Sequence, residues 1–142
     1  MIPDFNDQGN LPQGIYESNL SEIEKRFAYN KPRQVLFRKL KLLVKDLRMA
    51  GCLTLYLNGS YITNKEEPDD YDACWETEGV TSSISPILRD IRKFKRERKQ
   101  KYGGDIFYRI PELGIDHLQF FQQDSRTGEL KGIIRINLET GK

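Results

Sequence analysis

The sequence has 142 residues, of which 37% are hydrophobic and 31% charged, and its formal net charge is +2. This length and composition suit one domain with a buried core and exclude a largely disordered chain. No stretch approaches the roughly 18 apolar residues of a membrane span, which excludes a membrane partner. We therefore expect a single cytoplasmic domain over residues 1–142. Cys52 and Cys74 each lie in an apolar stretch, and we expect both to be buried thiols.

The N-terminal third predicts an extended arm followed by two helices. Residues 1–17 are rich in Pro, Gly, Asn and Asp, which is typical of an arm with turns. Ser21 and Glu24 form a capping-box pattern, which predicts a short helix over residues 22–29. Asn30 is the expected N-cap of a longer helix, in which leucines recur with helical spacing until a glycine ends it.

The rest of the chain predicts strands on either side of one more helix. Ser85 and Pro86 begin this helix, which is expected to continue to residue 102 with Phe94 facing inward. Apolar runs and alternating patterns predict strands over residues 52–57, 70–75, 105–110, 115–122 and 133–138. This order of elements predicts an α/β or α+β sandwich, in which helices cover a mixed β-sheet.

Four residues near the middle of the chain combine features that suit phosphate chemistry. Gly59 and Ser60 end one predicted strand, and Asp70 and Asp72 begin the next. Because strand side chains alternate between faces, both carboxylates are expected to project the same way, about 7 Å apart. They repel each other unless a cation lies nearby, and Mg²⁺ prefers carboxylate and phosphate oxygens. The glycine lets backbone amides approach a phosphate, which the serine hydroxyl can also bind.

These features predict transfer chemistry on a nucleoside triphosphate, with Mg²⁺ or Mn²⁺ as cofactor. Gly-Ser followed after a short loop by Asp-x-Asp resembles the nucleotidyltransferase superfamily of DNA polymerase beta, in its minimal bacterial form. The resemblance implies the nucleotidyltransferase fold, with Asp70 and Asp72 as catalytic metal ligands. It also implies a third catalytic, metal-binding carboxylate on a later strand. Asp116 is the best match for that carboxylate, and Asp105 is the weaker one.

The wider chain is similar to a family of small bacterial nucleotidyltransferase-like proteins. The segments that carry this similarity are Ile2-Pro3-Asp4-Phe5, Leu11-Pro12-Gln13-Gly14, Phe120-Phe121-Gln122-Gln123 and Lys131-Gly132-Ile133-Ile134-Arg135-Ile136. One departure is that Tyr61, Ile62 and Thr63 follow the serine, where many minimal members carry an arginine. Small superfamily members often occur in toxin–antitoxin or phage-defence modules, which implies a toxin as a possible protein partner.

A basic run over residues 92–101 leaves the function open between three interpretations. It contains seven bases and one acid, and the expected phosphate or nucleic-acid contacts are Lys95, Arg96, Arg98 and Lys99. A solvated helix face is the other explanation of this run. The chain is then an enzyme that transfers a nucleoside monophosphate to a protein or RNA, an inert nucleotidyltransferase-fold binding module such as an antitoxin-like partner, or an RNA-binding protein.

Overall fold

A computed structural model describes residues 1–110 and 131–139 of the chain. Within these residues the protein has a mixed α+β fold, as the sequence predicts. The strands are β1 (Ile15–Ser18), β2 (Thr54–Asn58), β3 (Tyr71–Glu76), β4 (Gly104–Arg109) and β5 (Ile133–Asn137). The helices are α1 (Leu20–Phe27), α2 (Lys31–Met49), α3 (Pro86–Arg89) and α4 (Lys95–Tyr102), with a single 3₁₀ turn over Ser60–Ile62.

The five described strands form one mixed sheet in the order β1-β5-β2-β3-β4. β1 pairs with β5 in parallel, as does β3 with β4, whereas β2 is antiparallel to both β5 and β3. The predicted strands at residues 52–57, 70–75, 105–110 and 133–138 correspond to β2 to β5. The strand β1 was not predicted, and most of it lies within the arm expected over residues 1–17. The predicted strand over residues 115–122 lies outside the described residues.

The two faces of the sheet differ in what covers them. Alternate residues of β2, β3 and β4 pack with the α2 leucines in the main core, and these are Leu55, Leu57, Tyr71, Ala73, Trp75 and Ile106. The opposite face carries a smaller buried cluster of Tyr56, Cys74 and Ile133. Asp72 shares this second face, because it lies two residues before Cys74 on β3. Strand alternation therefore separates the candidate carboxylate from the main core.

The helix caps agree with the sequence for α2 and differ for α1. Asn30 caps α2, as predicted, because its Oδ1 accepts a hydrogen bond from the Arg33 amide at 3.0 Å. The cap of α1 is Asn19, whose Oδ1 accepts from the Glu22 amide at 2.8 Å. The prediction of Ser21 as this cap was wrong, because Ser21 already lies inside the helix and Asn19 has the extended backbone that a cap requires.

The predicted long helix after Ser85 is two shorter helices, and Phe94 does not face inward. Phe94 has a left-handed φ of 63° and is 37% exposed, so the chain turns before α4 begins. The physical reason is a buried arginine in α4. Arg98 donates hydrogen bonds to the carbonyl oxygens of Ile87, Ile91 and Lys93. These bonds satisfy backbone groups of the connection that a continuous helix would otherwise satisfy.

The two cysteines are buried free thiols, as the sequence predicts. Burial is the main reason why the pKa of the Cys52 thiol is raised to about 11 and that of Cys74 to about 12. Both thiols are therefore protonated and unreactive near neutral pH. In the described part of the chain, no helix has the length and apolar character needed to cross a membrane.

Candidate functional site

Gly59 brings the end of β2 against the start of β3. Its φ of 91° is a conformation that residues with a side chain rarely adopt. A Cβ atom at this position would lie 2.9 Å from the amide nitrogen of Asp72 and 3.2 Å from the Asp72 Oδ2 atom. Both the backbone conformation and the close approach require glycine. The predicted Gly59-Ser60 turn therefore lies beside Asp72, and Ser60 begins the 3₁₀ turn that follows.

The loop after Ser60 is held in place by Arg33, which the sequence analysis did not identify. The Arg33 side chain is fully buried in α2. Its guanidinium donates hydrogen bonds to the carbonyl oxygens of Phe27, Tyr61, Thr63 and Lys65. Burial lowers the pKa of Arg33, and the carbonyl dipoles stabilise its charge in place of water. Its only sequence signal is an arginine three residues after the α2 N-cap, and that is too weak to single it out.

Parallel pairing of β3 and β4 places Asp105 directly beside Asp72. Burial raises the pKa of the Asp72 carboxyl to about 6, and the negative charges of Asp70 and Asp105 raise it further in the same direction. Lys99 and Lys131 partly oppose this shift. Asp70 and Asp105 thus both lie near enough to act electrostatically on Asp72. Asp105 was the weaker prediction for the third carboxylate, whereas the preferred Asp116 lies outside the described residues.

The cation beside Asp70 in this structure is Lys99 of α4. The Lys99 Nζ atom lies 2.9 Å from Oδ2 of Asp70, and this hydrogen bond and charge raise the pKa of Lys99. Among residues 1–110 and 131–139, no three His, Cys, Asp or Glu side chains lie close enough together to hold a metal ion. The described carboxylates therefore form a cluster of like charges balanced by a lysine.

The donor set of this cluster nevertheless suits a hard cation. It contains only carboxylate oxygens, which are the ligands that Mg²⁺ prefers in proteins. Asp72 is destabilised as an anion by its burial and by its neighbours Asp70 and Asp105. A divalent cation at Asp70 and Asp72 would favour their ionised forms, and it would replace the Lys99 ammonium as the balancing charge.

The basic residues predicted to contact phosphate differ in their availability. Lys95, Arg96 and Lys99 are exposed on α4. Arg98 is only 5% exposed, and its guanidinium is bound to backbone carbonyl oxygens of the α3–α4 connection. The prediction that Arg98 contacts a polyanion is therefore wrong, because helical spacing turns this residue toward the protein interior.

A second residue that the sequence analysis missed is Phe107 on β4. It lies two residues beyond Asp105, so both side chains project from the same face of the sheet. Phe107 is 47% exposed and lines a cavity of about 270 Å³ together with Asp105 and Lys95. Strand alternation within the predicted strand at residues 105–110 could have identified it. The cavity therefore places one carboxylate, Asp105, near both an aromatic ring and a lysine.

The fold and site define a mixed α+β protein in which a glycine turn packs against a cluster of carboxylates. The chain belongs to the family described as "Family of unknown function (DUF6932)", which matches residues 3–137. No curated protein and no solved structure matches the chain. The family description names no activity, so the function has to be argued from the geometry of the site.

Proposed function

We propose that this protein is a Mg²⁺- or Mn²⁺-dependent nucleotidyltransferase that moves a nucleoside monophosphate from a nucleoside triphosphate to an acceptor. The acceptor oxygen forms a bond to the α-phosphorus, the bond between the α- and β-phosphates breaks, and pyrophosphate leaves. The observation that supports this most is the contact between the Gly59 turn and Asp72, whose pKa is raised by burial and by Asp70 and Asp105. A turn with backbone donors beside a carboxylate cluster is the combination that transfer from a triphosphate requires. A likeness to nucleotidyltransferases in the order of these residues supports the same proposal.

Each residue of the site has a distinct role in this proposal. Asp70 and Asp72 hold the cation, and the third carboxylate is either Asp105, the strand neighbour of Asp72, or Asp116, which the resemblance implies. The cation supplies charge neutralisation for the phosphates. The Gly59 backbone and the Ser60 hydroxyl bind phosphate oxygens through hydrogen bonds.

The acceptor in this proposal is a protein side chain or an RNA end. A toxin–antitoxin or phage-defence module is the biological context that the resemblance favours, with a toxin as the protein partner. A cytoplasmic location belongs to the same proposal, since nucleoside triphosphates are the substrates.

A second candidate, the inert binding module, is favoured by the ion pair between Lys99 and Asp70. An ammonium 2.9 Å from the carboxylate oxygen already balances part of the charge that the metal would balance. Residues 61–63 also carry no basic side chain to assist triphosphate binding. In this candidate the lysine remains paired permanently, and the fold serves only to bind a partner.

A transfer assay separates the two candidates. The protein is incubated with Mg²⁺, a cell lysate or RNA, and each common ribonucleoside triphosphate labelled at the α-phosphate. We expect a labelled acceptor, and we expect Asp72→Asn to reduce labelling about 100-fold or more, because it removes a charge that holds the cation. The control Asp69→Asn removes a nearby exposed charge and should retain labelling. If folded protein gives no labelled acceptor with any triphosphate, the transfer activity is contradicted and the inert module is favoured.

A further inference from the structure

A cavity of about 400 Å³ lies between α2 and α4, and cationic side chains line it. Lys39 contributes from α2, and Arg96 and Lys99 contribute from α4. The two α4 residues are three positions apart, so they lie on the same helix face. One acidic side chain, Asp69, also lines the cavity. The lining therefore carries an excess of positive charge.

The walls of this cavity are fixed relative to each other. Gly103 ends α4 with a φ of 78°, and a Cβ atom there would lie 2.9 Å from the Lys39 Cδ atom. The Tyr102 hydroxyl donates a hydrogen bond to Oδ2 of Asp46 in α2 at 2.7 Å, and the Tyr102 side chain is fully buried. The end of α4 is thus docked closely on α2, and the cationic groups on both walls are held near one another.

The positive charge of the cavity is only partly balanced within the protein. Lys99 is paired with Asp70. In the described part of the chain, no carboxylate lies within ion-pair distance of Lys39 or Arg96. Such a cavity favours an anionic ligand, and phosphate is the anion that lysine and arginine side chains commonly bind.

The surface beside the cavity suits a ligand longer than a single phosphate. Lys95 and Lys101 extend the exposed basic surface along α4. Phe94 lies at the start of this helix, partly exposed and in a left-handed conformation that bulky residues rarely adopt. The Arg98 hydrogen bond to the Lys93 carbonyl, at 2.7 Å, stabilises this conformation. The exposed residues Lys93 and Lys95 flank Phe94 in the chain, and an aromatic ring among cationic residues is the arrangement on which unpaired bases stack.

We infer that the α2–α4 cavity and Phe94 together bind single-stranded nucleic acid. Lys39, Arg96 and Lys99 contact the phosphates, and a base stacks on the Phe94 ring. A single strand is required, because bases in a duplex are already stacked and do not present their faces. This inference deepens the proposed function, because it names single-stranded nucleic acid as the acceptor. It rests on the proposed function only where it concerns chemical modification of the strand. Binding itself needs neither metal nor catalysis.

The test is fluorescence anisotropy with labelled oligouridine and oligodeoxythymidine of equal length, in EDTA and over a range of salt. The variant Lys39→Gln with Arg96→Gln should weaken binding about tenfold or more at low salt. It should also reduce the slope of log affinity against log salt by about 1.4, since each lost phosphate contact accounts for about 0.7 on a single strand. The matched control Arg38→Gln with Lys41→Gln removes the same charge from exposed positions of α2 and should have a much smaller effect.

A second pair of variants tests the stacking contact. Phe94→Leu should weaken binding about tenfold, whereas Phe94→Tyr should retain it, because the contact depends on an aromatic ring. Tighter binding of oligouridine than of oligodeoxythymidine would identify the natural strand as RNA. Tighter binding of oligodeoxythymidine would identify it as DNA. The inference would be overturned if the cavity variant and the control variant weakened oligonucleotide binding equally. It would also be overturned if polyglutamate competed as well as an unlabelled oligonucleotide of the same charge. Because these measurements exclude metal, they remain informative even if the transfer assay fails.

Discussion

Lys99 and Asp70 form an ion pair, with Nζ 2.9 Å from Oδ2, that joins the basic cavity to the carboxylate cluster. Lys99 is one of the cationic residues of the cavity, and Asp70 is one of the proposed ligands of the cation. A phosphate in the cavity competes for Lys99, and a divalent cation competes for Asp70. Both ligands therefore weaken the same ion pair, so each should favour binding of the other.

Replacing Lys99 should shift the two binding reactions in opposite directions. In Lys99→Met the Asp70 carboxylate loses its competing ammonium, so Mn²⁺ should bind several-fold more tightly. Oligouridine should bind more weakly, because a phosphate contact is lost. Mn²⁺ titration by electron paramagnetic resonance and anisotropy measure the two effects. Lys45→Met is the matched control, since Lys45 is an exposed lysine of α2 that does not line the cavity. Weaker Mn²⁺ binding in Lys99→Met would contradict the coupling.

The raised pKa of Asp72 predicts a pH-dependent gain in stability on substitution. The folded-state pKa is about 6 against an ordinary value of 3.8, so the folded state binds more protons between these values. The carboxyl therefore lowers the free energy of unfolding as pH rises from about 4 through 6. Without metal, Asp72→Asn should stabilise the protein at neutral pH by about 1–3 kcal/mol, and the gain should vanish near pH 4.

Chemical denaturation across this pH range, in EDTA, measures the gain. The exposed control Asp69→Asn should change the free energy of unfolding at neutral pH much less than Asp72→Asn does. A loss of stability in Asp72→Asn at neutral pH would mean that the carboxylate is satisfied by its surroundings, and the like-charge cluster would then be an incorrect description.

Gly59 should tolerate no side chain, and its substitution should damage the site as well as the fold. Gly59→Ala places a methyl group 2.9 Å from the Asp72 amide nitrogen and forces a strained φ, so the loss of stability should be about 1–3 kcal/mol. Gly79→Ala is a matched control, with a φ of 80° and a Cβ position 2.7 Å from the Gly51 carbonyl oxygen. Both variants should melt earlier, but only Gly59→Ala should also weaken Mn²⁺ binding. Equal Mn²⁺ binding in the two would separate Gly59 from the site.

Arg33 should be among the most sensitive positions of α2. In Arg33→Met the carbonyl oxygens of the loop lose a buried donor, and the expected destabilisation is about 3 kcal/mol or more. Arg38→Met changes an exposed arginine of the same helix and should alter stability by about 0.5 kcal/mol or less. Urea denaturation of both variants measures the difference. Similar stabilities would show that water or neighbouring groups replace the Arg33 hydrogen bonds.

The elements that the sequence predicted correctly are those with strong local patterns. The sequence also predicted that the Gly59 turn lies beside Asp72. The leucine repeat of α2, its Asn30 cap and the strands β2 to β5 are local signals. The closeness of Gly59 and Asp72 agrees with the short loop between β2 and β3. These features follow from spacing alone, because strand and helix periodicity decide which side chains share a face.

The features that the sequence missed, or ranked second as it did Asp105, depend on partners distant along the chain. Asp105 gains its place beside Asp72 from the parallel pairing of β3 with β4, which no local pattern specifies. The break before α4 depends on Arg98 reaching back to carbonyl groups, and in the sequence this residue is one base among seven. Arg33 likewise acquires its role from a loop about 30 residues away. In each case tertiary contacts override the local pattern.

The central claim is that Asp70 and Asp72 hold a divalent cation together with a nucleotide. Paramagnetic broadening of protein signals during titration of Mn²⁺ with a nucleoside triphosphate tests it most directly. We predict broadening centred on β3 and the Gly59 turn in the wild type, lost in Asp70→Ala with Asp72→Ala. The matched control, Glu66→Ala with Glu67→Ala, removes two exposed acids of the preceding loop and should retain the broadening. Unchanged broadening in the double aspartate variant would contradict the claim.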